Sequence, residues 1–417
     1  MTISAIRGFK DILPRDVPLW TRIEEEARKV AALYGFGELR TPVMERTSLF
    51  ARGIGEATDI VEKEMYSFED RGGESVSLRP EATAGVARAV LEHNLLRENR
   101  SKFFALGPMF RRERPQKGRL RQFHQLDVEA FGDPGPQIDA EVMDFLLTFL
   151  RGLGLSDPIL SLNSLGCPEC RPAFRKELAE YLLSREASLC PDCRRRLALN
   201  PLRVLDCKNP GCREVAAGAP KIVDRLCPAC VLHFRGVMDS LAVLGRDFSL
   251  DPFLVRGLDY YSRTAFEVAH PGLGSQNAVA GGGRYDGLVA ALGGPDTPAV
   301  GFAVGLERLA LLLSEKAEKD PLPETPGPRF FLAVLCPEAV ETALRLLGTL
   351  RKKNFSCECD WRPGSLRSRL KRADKLKAEK AIMLGERELA LRLATVRDLS
   401  DGSQREVPLD APAEDFL

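Results

Sequence analysis

The sequence predicts an α/β protein, with an α+β body built on an antiparallel sheet, a helical insertion within that body, and a separate C-terminal α/β domain. Three observations carry this expectation. Residues 102–131, KFFALGPMFRRERPQKGRLRQFHQLDVEAF, place two aromatic and apolar runs around a basic loop broken by Pro115 and Gly118, the pattern of a long antiparallel hairpin. Residues 167–230 hold eight of the eleven cysteines and read as mostly helical. Beyond a charged, Pro-rich stretch at 315–328, strand and helix patterns alternate to the end of the chain. The expected divisions are 1–165 and 241–314 for the body, 166–240 for the insertion, 315–328 for a linker and 329–417 for the last domain.

Composition narrows the function classes. The chain of 417 residues is long enough for two or three domains and a large core. Its net charge of +1 excludes a global field for nucleic acid, so any such contact must come from local patches. The stretch MTISAIRGFKDILPRD has charges at Arg7, Lys10 and Asp11 and no apolar core, so it does not read as a signal peptide. No apolar run approaches a membrane span, and the expected location is the cytoplasm. Cysteines in that compartment point to metal ligands or free thiols before disulfides.

In chain order, Trp20, Ile23, Ala27, Val30, Ala31 and Tyr34 recur at helical spacing, and Gly35 closes the helix. GELRTPVME follows as a strand with Pro42 enforcing extended geometry at Thr41. Ser48 to Met65 reads as a mobile loop around Gly53 and Gly55. SVSLRPEATAGVARAV runs from strand to helix, with Pro80 in the first helical turn and Glu81 at the favourable end of the helix dipole. Capping alone would explain Glu81 and Thr83. On the hairpin, alternation places Arg111 with Glu113 on one face and Gln125 with Glu129 on one face. Guanidinium, carboxamide and carboxylate together suit a zwitterionic or phosphorylated small molecule, and the interleaved Phe110, Phe123 and Phe131 argue that these charges are partly buried and need partners.

QIDAEVMDFLLTFLRGLGL is an amphipathic helix and LSLNSLG a strand. The cysteines then come as Cys167-x2-Cys170, Cys190-x2-Cys193, Cys207-x4-Cys212 and Cys227-x2-Cys230, with a helix marked by Phe174, Leu178, Tyr181 and Leu182. Such pairs fit one or two tetrahedral thiolate zinc sites, and they equally fit free thiols or disulfides formed on isolation. DPFLVRGLDYYSRTAFEVAH fits strand segments around a Gly-Leu-Asp turn, with Arg256 and the Tyr260-Tyr261 pair in an apolar setting. AVAGGGRYDGLVAALGG has three successive glycines that allow close backbone approach to a ligand, without the Lys and Ser/Thr of a P-loop. PAVGFAVGLERLALLL reads strand, glycine, helix, with Leu306, Leu309 and Leu313 on one face. Residues 351–380 hold eleven Lys and Arg against four Asp and Glu, a local charge of +7 that suits a phosphate backbone or an ordinary solvated helix.

FRRERPQKGRLRQFHQLDVEAFG resembles motif 2 of class II aminoacyl-tRNA synthetases in the form of the histidyl-tRNA synthetase family. LVRGLDYYSRTAFEV and AVAGGGRYDG resemble that family's two signatures, GELRTPVME its motif 1, the stretch around Arg308 its motif 3, and LKRADKLKAEKAIMLGE its anticodon-binding domain. The resemblance implies ATP-dependent activation of L-histidine, with ATP as its Mg2+ complex, followed by transfer to tRNA(His) by a homodimer. It implies that Glu81, Ala82, Thr83 and Gln125 hold the amino end of histidine, and that Tyr260 and Tyr261 line the imidazole pocket, with Glu129 and Tyr261 at the two ring nitrogens. Arg111 and Arg256 would act on the α-phosphate, Arg308 on the β- and γ-phosphates, with Glu113 also at ATP. Gln116 and Arg119 would reach the tRNA acceptor end. The family uses no structural metal, so zinc stays an open reading for the cysteines. A regulatory paralogue of ATP phosphoribosyltransferase shares the fold, but typically lacks the C-terminal domain and the signature arginines and tyrosines found here.

Overall fold

The computed structural model describes residues 3–55, 58–276, 278–317, 327–362 and 364–417. It separates into two compact units, 1–320 and 321–417. The first is built on an eight-stranded sheet whose central six strands run antiparallel. The hairpin of Lys102–Phe110 and Gln122–Phe131 sits in it, paired from Lys102↔Ala130 to Phe110↔Gln122. Its second strand pairs with Ala299–Gly305, followed by Ala278–Arg284, Ser262–Ala269 and Ile159–Ser164. Two short strands join in parallel at the edges, Gly37–Glu38 and Ser249–Leu250. The helices Val17–Leu33 and Pro136–Gly152 and the inward leucines of Leu306–Ala317 complete the core.

Several local expectations differ from the structure. GELRTPVME is two short strands in different sheets, because Pro42 withholds an N–H between them; Met44–Arg46 joins Tyr66–Glu69 and Ser75–Leu78 in a small second sheet. Ser48 to Met65 is not a loop: Thr47–Ile54 is an α-helix burying Leu49, Phe50 and Ile54, and Ile60–Glu64 forms a π-helical turn. Its apolar residues were spaced for a helix, and the glycines end that helix rather than dissolving it. Pro80 lies before the helix Thr83–Glu92, not in its first turn. In the stretch 251–270 only Ser262–Ala269 is a strand; Val255 and Leu258 sit in an irregular segment and pack against the core from there. The helix Leu306–Ala317 takes up Glu315 and Lys316, and most of the expected linker, 318–326, lies outside the described residues.

The insertion is helical, with Arg171–Leu183, Pro191–Leu199, Pro210–Ala217 and Pro228–Val243 around a small core of Phe174, Leu178 and Leu182. The second unit carries a five-stranded mixed sheet, centred on Phe330–Val334 and Lys380–Leu384, with the helices Val340–Lys352 and Leu366–Lys375. Among the described residues no single helix is long and apolar enough to cross a membrane.

One buried ion pair fastens the sheet to its covering helix. Arg284, at the end of the triple-glycine strand, is fully buried. Its guanidinium donates to Asp139 at 2.5 Å and 3.0 Å and to the backbone oxygens of Asp133 and Gly135, while Thr264 donates to the other Asp139 oxygen at 2.6 Å. Truncating one partner strands the other charge in the interior. Arg284→Ala should therefore lower unfolding stability by about 3–5 kcal/mol in denaturant titration; a loss within the range of a surface substitution would contradict this role.

Candidate active site

The strand Gln122–Phe131 turns Gln125, Asp127 and Glu129 to one face by simple alternation, and all three are buried. Glu81 lies just before the helix Thr83–Glu92 and accepts from the N–H groups of Thr83 at 3.0 Å and Ala84 at 2.9 Å, so it does cap that helix. Both of its oxygens are thereby fixed, and Tyr260 adds its hydroxyl to Oε2 at 3.3 Å. Ala82, the residue before the helix, is fully buried against the core. Thr83 donates its hydroxyl to Glu129 Oε1 at 2.5 Å, and the other Glu129 oxygen accepts from the Tyr285 hydroxyl. Gly301 stands opposite Glu129 in the neighbouring strand, and a Cβ there would collide with the carboxylate, so glycine is required at that position. The rings of Tyr260, Tyr261 and Tyr285 close over this floor, with centroids 4.7 and 5.5 Å apart.

Burial dominates the acid–base state of the floor. It raises the carboxyls of Glu81, Asp127 and Glu129 above the usual carboxylate range, well above for the last two, with the Glu81 charge adding to the effect at Asp127. It also pushes the Tyr261 phenol up to about 12. Neither oxygen of Asp127 has a hydrogen-bond partner among the described residues, and neither do Gln125 Oε1 and Arg256 Nε. Buried polar atoms are normally paired, so these mark where a polar ligand belongs.

Above the floor opens a cavity of about 440 Å³ lined by Arg111, Arg119, Arg256, Arg308, Glu113 and Gln125, among others. Arg111 is held by the Pro80 carbonyl at 2.8 Å and lies over the Phe123 ring at 5.2 Å. Arg256 pairs with Glu267 at 3.1 Å and faces the Tyr261 ring. Arg308 donates to the Ala278 carbonyl, and Arg119 pairs with Glu113 at 3.1 Å. Gly281 lets Arg256 lie flat on the sheet, since a Cβ there would meet its guanidinium. Thus Arg119 turns into this cavity, whereas Gln116 is exposed at the hairpin tip and does not line it. The tight turn at Gly118 (φ +74°) pairs Gln116 with Arg119 backbone to backbone, and of the two only Arg119 lines the cavity.

Four further residues belong here. Asp127 was legible from alternation between Gln125 and Glu129. Tyr285 delivers a hydroxyl to Glu129, and nothing local in the sequence pairs residues 156 positions apart. Arg196 and Arg203, from the insertion, also line the cavity.

The model of the histidyl-tRNA synthetase family matches residues 8–169 and 213–309, and that of an anticodon-binding domain matches 328–415. The chain belongs to the histidyl-tRNA synthetase family. The histidine–tRNA ligase of Trichlorobacter lovleyi is 50% identical over 99% of this chain and 97% of its own length, and that of Solidesulfovibrio magneticus 52% identical over 98% and 96%. The crystal structure of apo S. aureus histidyl-tRNA synthetase aligns over the whole of both chains with a TM-score of 0.81 and 33% identity. The mixed α/β catalytic unit and the C-terminal unit are those of this synthetase family.

The raised carboxyls have a measurable consequence. A carboxyl whose folded-state pKa lies above its unfolded value keeps its proton in the folded state, so stability is lost as pH rises through the folded value. Asp127→Asn removes that titration. The variant should gain stability relative to the parent protein by a margin that widens from about pH 4, near the unfolded aspartate value, to about pH 7. Thermal unfolding at the two pH values tests it; a constant margin would mean that Asp127 is not buried as an acid.

Proposed function

We propose that this cavity activates L-histidine with ATP and passes the product to tRNA(His), as a histidine–tRNA ligase does. The observation that carries this reading is the arrangement of charge: a cationic cavity stacked directly on a buried acidic floor. An amino acid joined to a nucleotide needs both, one for its ammonium and one for the phosphates.

In this reading Glu81, Asp127, Thr83 and Gln125 receive the α-ammonium, a carboxylate facing a cation being the strong form of such a contact. Glu129, fixed by Thr83 and Tyr285, accepts from one imidazole nitrogen, with the tyrosine rings around the ring faces. A site built to hydrogen-bond both ends of imidazole rejects apolar side chains, because they would leave its buried polar groups unpaired. The histidine carboxylate then attacks the α-phosphorus of ATP, taken as its magnesium complex, and pyrophosphate leaves. One anion must approach another while charge spreads over the phosphorus, and fixed cations lower that barrier. Arg111 and Arg256 act at the α-phosphate. Arg308 and Arg119 hold the outer phosphates, with the carboxylates Glu113 and Glu267 keeping the arginines apart. In the second step the terminal ribose hydroxyl of the tRNA attacks the acyl carbon and AMP departs. The exposed hairpin tip, including Gln116, is placed to meet the acceptor end. In the second unit a basic recess lined by Arg362, Arg369, Lys371, Arg372 and Lys375 suits an anticodon backbone. Exposed Leu33, Val43 and Met44 on the first helix and its following strands supply an apolar face for a second copy, consistent with a dimer.

Histidine-dependent exchange of pyrophosphate into ATP is the direct assay, and its absence would overturn the reading. Arg256→Ala should slow that exchange by roughly two to three decades while sparing histidine affinity, as loss of a fixed transition-state donor does. Gly281→Ala, which lifts Arg256 off the sheet without removing it, should lower exchange in the same direction by a smaller factor. Unchanged exchange in both would show that Arg256 does not act at phosphorus.

A further inference from the structure

The sequence offers four cysteine pairs and leaves their grouping open. The fold groups them. Cys167, Cys170, Cys227 and Cys230 come together at the base of the insertion, where the chain enters and leaves it, and Cys190, Cys193, Cys207 and Cys212 come together within it. In each group the four sulfurs lie within 4.8 Å of one another. The first pair therefore joins the fourth, the second joins the third, and the two groups are nested.

We propose that the insertion binds two structural zinc ions, an outer one held by Cys167, Cys170, Cys227 and Cys230 and an inner one held by Cys190, Cys193, Cys207 and Cys212. The distances support this choice over the other fates of eight thiols. A tetrahedral zinc with bonds of about 2.3 Å places its sulfurs ~3.8 Å apart. The separations are 3.8 Å for Cys167–Cys170 and Cys167–Cys227, and 3.9 Å for Cys170–Cys230 and Cys190–Cys207. A disulfide needs about 2.05 Å, and all eight cysteines are free thiols here. A polynuclear iron–sulfur cluster would force its thiolates farther apart, because the cluster core lies between them.

At several of these positions the backbone favours negative sulfur. Cys170, Cys190 and Cys227 each stand at the N-terminus of a helix whose first residues include proline, where the dipole favours negative sulfur. Backbone N–H groups point at sulfur, from Cys167 to Cys170 at 3.3 Å and from Cys190 to Cys212 at 3.2 Å. The insertion, expected at 166–240, is of the length at which small domains are commonly stapled by metal. Metal binding would release the thiol protons and add its binding free energy to folding.

Both sites stand one contact from the catalytic cavity. Beside the outer cluster, Arg171 donates to the backbone oxygen of Tyr261 at 2.5 Å and to that of Leu165 at 3.0 Å. From the helix that carries Cys193, Arg196 reaches Asp59 at 2.9 Å; just beyond it, Asn200 reaches Asp259 at 2.9 Å and Arg203 the Gly257 oxygen at 2.5 Å. Asp59, Gly257, Arg196 and Arg203 all line the cavity. The inner zinc thus holds one wall of the nucleotide site. The family model passes over residues 170–212, so the inner cluster and Cys170 lie outside the stretches it matches, while Cys167, Cys227 and Cys230 lie within them.

The test is metal content of the full-length, untagged protein from zinc-supplemented growth, by elemental analysis and native mass spectrometry. Two zinc ions per chain are expected, both released by a mercurial thiol reagent, with a denatured mass showing all eleven cysteines reduced. Cys230→Ser and Cys193→Ser should each retain one zinc, and Cys193→Ser should raise KM for ATP by roughly tenfold, with a smaller change for histidine, as a displaced cavity wall does. If either variant does not fold, the parent protein's stoichiometry and mass still decide. One zinc or none, iron in place of zinc, or a mass lowered by disulfides would overturn the assignment.

Discussion

Glu81, Asp127 and Glu129 are carried into the interior by a helix start and a central strand that between them give the three carboxyls few cationic partners. Everything else in the catalytic unit follows from making that burial tolerable. Glu81 is fixed by backbone N–H groups, Glu129 by two hydroxyls, and Asp127 by nothing of its own, so the field of Arg79 and Arg111 must serve it. A low-dielectric floor of this kind strengthens each electrostatic contact made to it, and selects for a ligand that brings a cation at one end. Of the arginines in the cavity, Arg111 acts on the floor through space, whereas Arg119 and Arg256 are paired with Glu113 and Glu267.

Glycine does the spatial work that charge requires. Gly301 clears room for the Glu129 carboxylate and Gly281 for the Arg256 guanidinium, on adjacent strands of the same sheet. The antiparallel register places Gly301 opposite Glu129, and Gly281 opposite Glu267, the carboxylate that pairs with Arg256. The buried Arg284–Asp139 pair at the end of the triple-glycine strand then anchors to the covering helix a segment with few side chains of its own to pack.

Residues 170–212 of the insertion join this scheme from outside the stretches that the family model matches. Its arginines enter the cavity wall, its Arg171 holds the backbone of a pocket tyrosine, and its cysteines gather into two four-sulfur clusters at the points where those contacts originate. A subdomain that folds around metal and leans on the nucleotide site ties the geometry of that site to the state of its own thiols.

Local pattern carried much of this. The hairpin, the alternation that aligns Gln125 with Glu129, the inward leucines after Gly305 and the alternating strands and helices of the last unit all follow from spacing of 2 or 3.6 residues, which neighbours along the chain suffice to show. The helix Thr47–Ile54 was obscured because glycine content outweighed a short apolar pattern, and the irregular segment before Ser262 because β-branched and aromatic residues there pack without pairing. The sequence alone determined the fold class, the order of the motifs and the residue types at the site. Only the tertiary structure decided which distant groups meet: Tyr285 with Glu129, Arg119 with Glu113 in the cavity, and Cys167 with Cys227 rather than Cys190. The reason is physical. Periodicity fixes which face of its own element a side chain takes, whereas the partner across a gap is set by how the elements pack, and no local spacing encodes that.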